Sequence, residues 1–223
     1  MTIAFIGAGN MAGSLIRGLQ ASGYLPGEIV AADPAQSQLD VLSALGIATT
    51  TDNARAVAEA DIIVLAVKPQ ITGDVLQALP ALRADQLVIS IVAGIDTRSL
   101  GDWLPDRQPI VRCMPNTPAL LGAGITGLYA NASVSDAQCA QAEAILNGVG
   151  SSVWVSDESQ LDAVTAVSGS GPAYYFLLME SMIESAKALG LDAQASRQLV
   201  VETARGAALM ACEPDTDPAT LRR

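Results

Sequence analysis

The strongest constraint on this chain is an alternation of two hydrophobic periods. Short runs rich in β-branched residues fall at 2–6, 29–32, 62–67, 87–92 and 110–113, separated by stretches of helical period at 11–22, 36–45, 71–79 and 97–103. The runs are apolar throughout rather than at every second residue, as in strands buried on both faces of a parallel sheet. Alternating strand and helix implies βαβ units with right-handed crossovers. Further strands at 126–129 and 152–155, around a helix at 136–147, complete a first domain ending at residue 157. Residues 158–223 show only helical patterns: 172–189, opened by Pro172 after Gly171 and stopped by Gly190, then 193–211 and a loop-like 212–218. The expected fold is therefore α/β, an N-terminal Rossmann-like, mostly parallel sheet (1–157) followed by an all-helical C-terminal domain (158–223).

Composition narrows the chemistry. The chain has no histidine, which excludes Ser-His-Asp and Cys-His nucleophile pairs and imidazole-ligated metals. Cys113, Cys139 and Cys212 are too scattered for a thiolate zinc site, so no metal is expected, and their odd number suits a reduced, intracellular protein. Acidic residues outnumber basic ones by 23 to 12, against binding nucleic acid or an anionic membrane. The N-terminus lacks the positive flank of a signal peptide, and the apolar run at 62–67 lies between Asp61 and Lys68, too short to span a bilayer. A cytoplasmic location is expected.

Ligands of open parallel sheets bind beyond the carboxyl ends of the strands, where this sequence places its least ordinary residues. Gly7-Ala8-Gly9-Asn10-Met11-Ala12 is a GxGxxA turn that follows the first strand and opens a helix. Gly7 permits the tight turn, Gly9 admits a pyrophosphate close to the backbone, and Ala12 lets the helix approach the strand; free N–H groups and the helix dipole attract phosphate. Asp33, ending the second strand, either accepts from the ribose hydroxyls of NAD or caps the next helix, and no cation in 34–38 favours a 2′-phosphate. Lys68, in Ala66-Val67-Lys68-Pro69, either meets a phosphate or ribose or is simply solvated. Small Ala93 and Gly94 let backbone approach a nicotinamide. Asn116, in Met114-Pro115-Asn116-Thr117-Pro118, belongs either to a site or to a stiff turn. Ser168-Gly169-Ser170-Gly171-Pro172 is either an anion cradle at a helix start or a helix–helix turn. Tyr174, Tyr175, Leu177, Leu178, Met182, Ile183 and Ala186 give the following helix an apolar face, for packing or for a dimer interface, with the interface favoured.

Taken together, Phe5 to Ala12, Ala66 to Pro69, Val111-Arg112-Cys113-Met114-Pro115-Asn116-Thr117-Pro118, and Asp162-Ala163-Val164-Thr165 running into Ser168 to Tyr174 resemble the pyrroline-5-carboxylate reductases. The similarity spans the chain, and the 162–174 run is its most specific part. The resemblance implies reduction of Δ1-pyrroline-5-carboxylate to L-proline with hydride from NADPH or NADH. It implies cofactor contacts at Gly7 to Ala12, Asn53, Ala66 to Pro69 and Ala93-Gly94, with Asn116 near the nicotinamide. Glu158 and Ser168, Gly169, Ser170 and Gly171 are implied near the substrate. It also implies homodimers through the C-terminal helices, often assembled into larger rings. Family members continue beyond the equivalent of Arg223 into a loop that supplies a threonine hydroxyl to the substrate, so this chain is expected to be truncated, with an incomplete substrate site. The catalytic proton donor is unassigned. Glu158 either favours a protonated imine electrostatically or complements a helix dipole. Two other readings are a β-hydroxyacid dehydrogenase, which would need a lysine in the helical domain where Lys187 stands alone, and a nucleotide sensor without turnover.

Overall fold

The computed structural model describes residues 1–214 and 217–223. The two compact units are Met1–Ser170 and Gly171–Arg223.

In the first unit, eight strands form one sheet: β1 (Ile3–Ile6), β2 (Ile29–Ala32), β3 (Ala48–Thr50), β4 (Ile62–Leu65), β5 (Leu87–Ser90), β6 (Ile110–Met114), β7 (Gly124–Ala130) and β8 (Gly150–Trp154). Their spatial order is β3-β2-β1-β4-β5-β6-β7-β8. All neighbours are parallel except the antiparallel β6–β7 pair. The first six strands follow the doubly wound order of dinucleotide-binding folds, with the direction of winding reversing between β1 and β4. The helices are α1 (Asn10–Ala21), α2 (Gln36–Ser43), α3 (Asn53–Ala58), α4 (Thr72–Gln77), α5 (Thr97–Trp103), α6 (Asp136–Asn147) and α7 (Gln160–Val164).

Alternate side chains along β1 explain why its run is apolar throughout. Ile3 and Phe5 pack with Leu15, Ile16 and Leu19 of α1, Leu39 and Leu42 of α2, and Ile145 and Leu146 of α6. Ala4 and Ile6 enter a second core with Ala56 and Val57 of α3, Leu76 of α4 and Leu100 of α5. Both faces are thus covered by helices, which leaves the strand ends and their loops for function.

β3 and α3 are absent from the sequence expectation. β3 has three residues, none buried, and α3 has six, so neither supplies a sustained period. The two compact units divide after Ser170, thirteen residues beyond the boundary expected at 157. Residues 158–170 pack with the first unit: Leu161 is buried, and a Cβ on Gly127 would lie 2.7 Å from Val164. α7 passes directly into a single π-helical stretch, Thr165–Gly169.

The second unit contains α8 (Gly171–Ala188), α9 (Ala193–Ala211) and α10 (Pro218–Leu221). Asp192 caps α9 by accepting from the Ala195 N–H at 2.9 Å, and Gly190 leaves α8 at a φ of +99°. The expected loop at 212–218 includes residues 215 and 216, outside the described residues; α10 begins at its end, with Pro218 as its first residue.

Candidate active site

The crevice where the winding reverses is built around Gly7 and Gly9, and the two glycines are there for different reasons. Gly7 has a φ of +99°, and a Cβ on it would stand 2.5 Å from the Ala66 carbonyl oxygen at the end of β4. Its N–H donates to the Ala32 carbonyl at 2.8 Å, and the Ala66 N–H donates to Ile6 at 2.8 Å, so the loop is bound on both sides. The fold itself requires glycine at this position.

Gly9 differs. It is extended, with a φ of −70°, and a Cβ there meets nothing within 4 Å. The protein fills no space above it and imposes no special backbone angle. It is the N-cap of the twelve-residue α1, which has no side-chain cap and no acid in its first turn. An uncapped helix start facing open space suits the pyrophosphate of a dinucleotide. Buried Ala12 lets α1 lie close to the sheet.

Asp33 does not cap α2, whose N-cap is Ala35 and which has no side-chain cap. Its Oδ1 accepts the Ala35 N–H at 2.8 Å, the local turn, and its Oδ2 accepts the Ala8 N–H at 2.9 Å. The carboxylate therefore ties the glycine turn to the end of β2, with lone pairs left for ribose hydroxyls. Asn53 stands as the first residue of α3, whose N-cap Asp52 accepts from Ala54 and Arg55. Ala66 and Val67 are half-buried, Lys68 and Pro69 exposed, and the Lys68 ammonium makes no ion pair among the described residues. Ala93 and Gly94 are exposed beyond β5, with Gly94 at a φ of +76°.

Asn116 is buried and fully engaged. Its Nδ2 donates to the Ser168 carbonyl at 3.2 Å and its Oδ1 accepts the Ile125 N–H at 3.0 Å. It braces the loop after β6 against the end of the π-helical stretch. In the segment from Ser168 to Gly171 the π-helical stretch ends at Gly169, Ser170 is a bend, and α8 starts at Gly171. The Ser170 N–H donates to Thr165 at 2.8 Å and the Ser168 hydroxyl to Val164 at 3.0 Å, which closes the π-helical stretch. Such stretches occur often at functional sites.

Glu158 is also committed. Oε1 accepts from Arg112 Nη1 at 3.0 Å and from the Thr97 N–H at 2.7 Å, and Oε2 accepts the Thr97 hydroxyl at 2.7 Å. Its charge is balanced by Arg112. Beside it, Asp96 caps α5 through the Ser99 N–H at 2.7 Å, and hydrogen bonds from the Ser99 side chain and backbone hold its carboxyl below the ordinary range. Thr97 and Arg112 were not singled out from sequence. An arginine inside the otherwise apolar run Ile110-Val111-Arg112-Cys113-Met114 was the available signal. Among the described residues no cluster of His, Cys, Asp or Glu could hold a metal ion, and no helix is long and apolar enough to cross a membrane.

Comparison with known proteins matches two separate parts of the chain. Residues 2–94 match the family described as NADP oxidoreductase coenzyme F420-dependent, and residues 158–223 match the pyrroline-5-carboxylate reductase dimerisation family. A pyrroline-5-carboxylate reductase of Pseudomonas aeruginosa is 54% identical over 223 residues, covering 99% of this chain and 82% of that protein. The structure of a pyrroline-5-carboxylate reductase from Coxiella burnetii superposes with a TM-score of 0.95 at 42% identity, over 99% of this chain and 83% of the other. The pyrroline carboxylate reductase of Plasmodium falciparum, crystallised with NADP bound, gives a TM-score of 0.87 at 29% identity, over 99% of this chain and 82% of the other.

Proposed function

The chain belongs to the pyrroline-5-carboxylate reductase family, an oxidoreductase family that reduces Δ1-pyrroline-5-carboxylate to L-proline with NADPH or NADH, and from that premise we propose how its own residues divide the work. Bound NADH or NADPH supplies the hydride. Gly7 to Ala12 hold the pyrophosphate at the start of α1, and the open space above Gly9 is the observation that carries this assignment. Asn53 and Ala66 to Pro69 line the adenosine and ribose side, and Ala93-Gly94 with Asn116 the nicotinamide side. Asp33 receives a ribose hydroxyl and repels a 2′-phosphate, which favours NADH. The segment Ser168, Gly169, Ser170 and Gly171 borders the substrate, a reading supported by the Asn116 bond at its first residue.

An imine carbon is electrophilic, more so once its nitrogen is protonated, so the chain's task is chiefly to hold the two reactants face to face. No side chain among those described is assigned as general acid. A substrate that enters as the iminium ion needs none.

The second unit carries the family's dimerisation region. Tyr174, Tyr175, Phe176, Leu177 and Leu178 are five consecutive residues of α8, all more than half exposed within this chain. A helical turn apolar on every side has to be covered, and a second copy of the same helices covers it by two-fold symmetry. We infer a homodimer through α8 and α9, a building block for a larger ring, acting in the cytoplasm. The functional test is growth. A proline-requiring strain deleted for its own reductase should grow without proline when it carries the full-length protein, and failure to grow despite soluble expression overturns the reading.

A further inference from the structure

The Arg112–Glu158 pair joins three parts of the chain that are distant in sequence. Arg112 lies on β6 in register with Ser90, the last residue of β5. Thr97 opens α5, just after the Ala93-Gly94 loop. Glu158 precedes the helical stretch that carries Ser168. The side chains of Arg112 and Glu158 are only 13% and 21% exposed, and the three donors that reach the carboxylate come from two other segments.

The stretch from Glu158 to Ser168 is thus pinned twice to the same strand and its loop. Glu158 holds its start to Arg112, and the Ser168 carbonyl holds its end to Asn116, four residues beyond Arg112. Between the pins Leu161 is buried, and Gly169 lies close enough to Met114 that a Cβ would stand 2.8 Å from the Met114 Cε. Resting on the reductase reading above, we propose that Glu158 is a positioning residue. Clamped to Arg112 and Thr97, it sets the spacing between the nicotinamide loop Ala93-Gly94 and the substrate-bordering segment Ser168–Ser170, and it does not itself bind substrate.

A clamp that sets a reacting distance affects turnover more than affinity, because hydride transfer is steeply sensitive to small displacements. The test compares E158Q, R112M and the double variant in the full-length protein. E158Q keeps an acceptor for Thr97 but removes the charge facing Arg112. Each single variant should lower kcat by about tenfold or more, with KM for the imine changed less than about threefold by the same reasoning. The primary isotope effect with 4-deuterated NADH should increase as hydride transfer becomes slower. The double variant should be no worse than the poorer single one, because both remove the same clamp. T97V, which removes only the donor to Oε2, gives a milder version of the same pattern and serves if the others fold poorly. A rise in KM at unchanged kcat, or losses that multiply in the double variant, overturns the proposal and makes Glu158 a direct ligand. A parent enzyme with no imine-dependent NADH oxidation would instead overturn the reductase reading itself.

Discussion

Replacing each crevice glycine by alanine separates what the fold needs from what the ligand needs. At Gly7 two costs combine. A φ of +99° carries about 1–2 kcal/mol for a residue with a Cβ. The 2.5 Å approach to the Ala66 carbonyl oxygen is to backbone held in the sheet, which cannot swing aside as a flexible side chain can, and overpacking of this kind costs another 1–3 kcal/mol. A total of about 3 kcal/mol lowers the melting temperature of a chain this size by about 6–12 °C. Gly9→Ala meets neither cost, since its φ is −70° and its Cβ has open space, so its melting temperature should stay within about 2 °C of the parent. The new methyl group occupies the pyrophosphate site instead, and the NADH dissociation constant should rise at least about tenfold, or ~1.4 kcal/mol. Thermal melts and calorimetric titration with NADH read the two effects separately. If G9A binds NADH as tightly as the parent, the space above Gly9 is not the pyrophosphate site; if G7A melts with the parent, the contact with Ala66 is not rigid.

Three further outcomes follow. Asp33→Asn keeps an oxygen for the Ala8 or Ala35 N–H but removes the charge, so kcat/KM with NADPH should rise about tenfold relative to NADH; a parent that strongly prefers NADPH would contradict the role given to Asp33. The three thiols should differ in reactivity: exposed Cys212 modifies first, half-buried Cys139 more slowly, and Cys113, whose thiol pKa burial pushes far up, only on unfolding. Mass-resolved labelling that finds Cys113 modified in the folded protein would refute this. Asp96→Ala should cost about 1 kcal/mol at neutral pH through loss of the α5 cap. Because the folded carboxyl titrates below its usual value of 3.8, its contribution is present above that value and is lost as pH falls through the lower folded value, so parent and variant should converge in acid, as equilibrium unfolding at several pH values would show.

What could be read from the sequence follows from what each element buries. β1, β4 and β5 are covered on both faces, so their apolar runs were plain, and the GxGxxA turn took its meaning from following the first of them. β3 is a short edge strand with no buried residue, and its threonines resemble a loop. The spacing of the turn separated Gly7, for the tight turn, from Gly9, for the pyrophosphate, but could not show the second reason for Gly7, a carbonyl brought to it by β4, far along the chain. Glu158 entered through the family resemblance, but its partners Thr97 and Arg112 meet it only through the sheet. The glycines after Ser168 mark the bend at Ser170 between helices, but the π-helical stretch that leads into it packs against β6 and β7 and has no local pattern.

On the proposed function, this crevice transfers hydride to a cyclic imine. The most direct measurement mixes the full-length protein with NADH or NADPH and Δ1-pyrroline-5-carboxylate, following reduced-nicotinamide absorbance while proline is assayed in the same samples. The reduced cofactor should be lost only when the imine is present, with one proline formed per cofactor oxidised. Tight cofactor binding with no oxidation and no proline would contradict it.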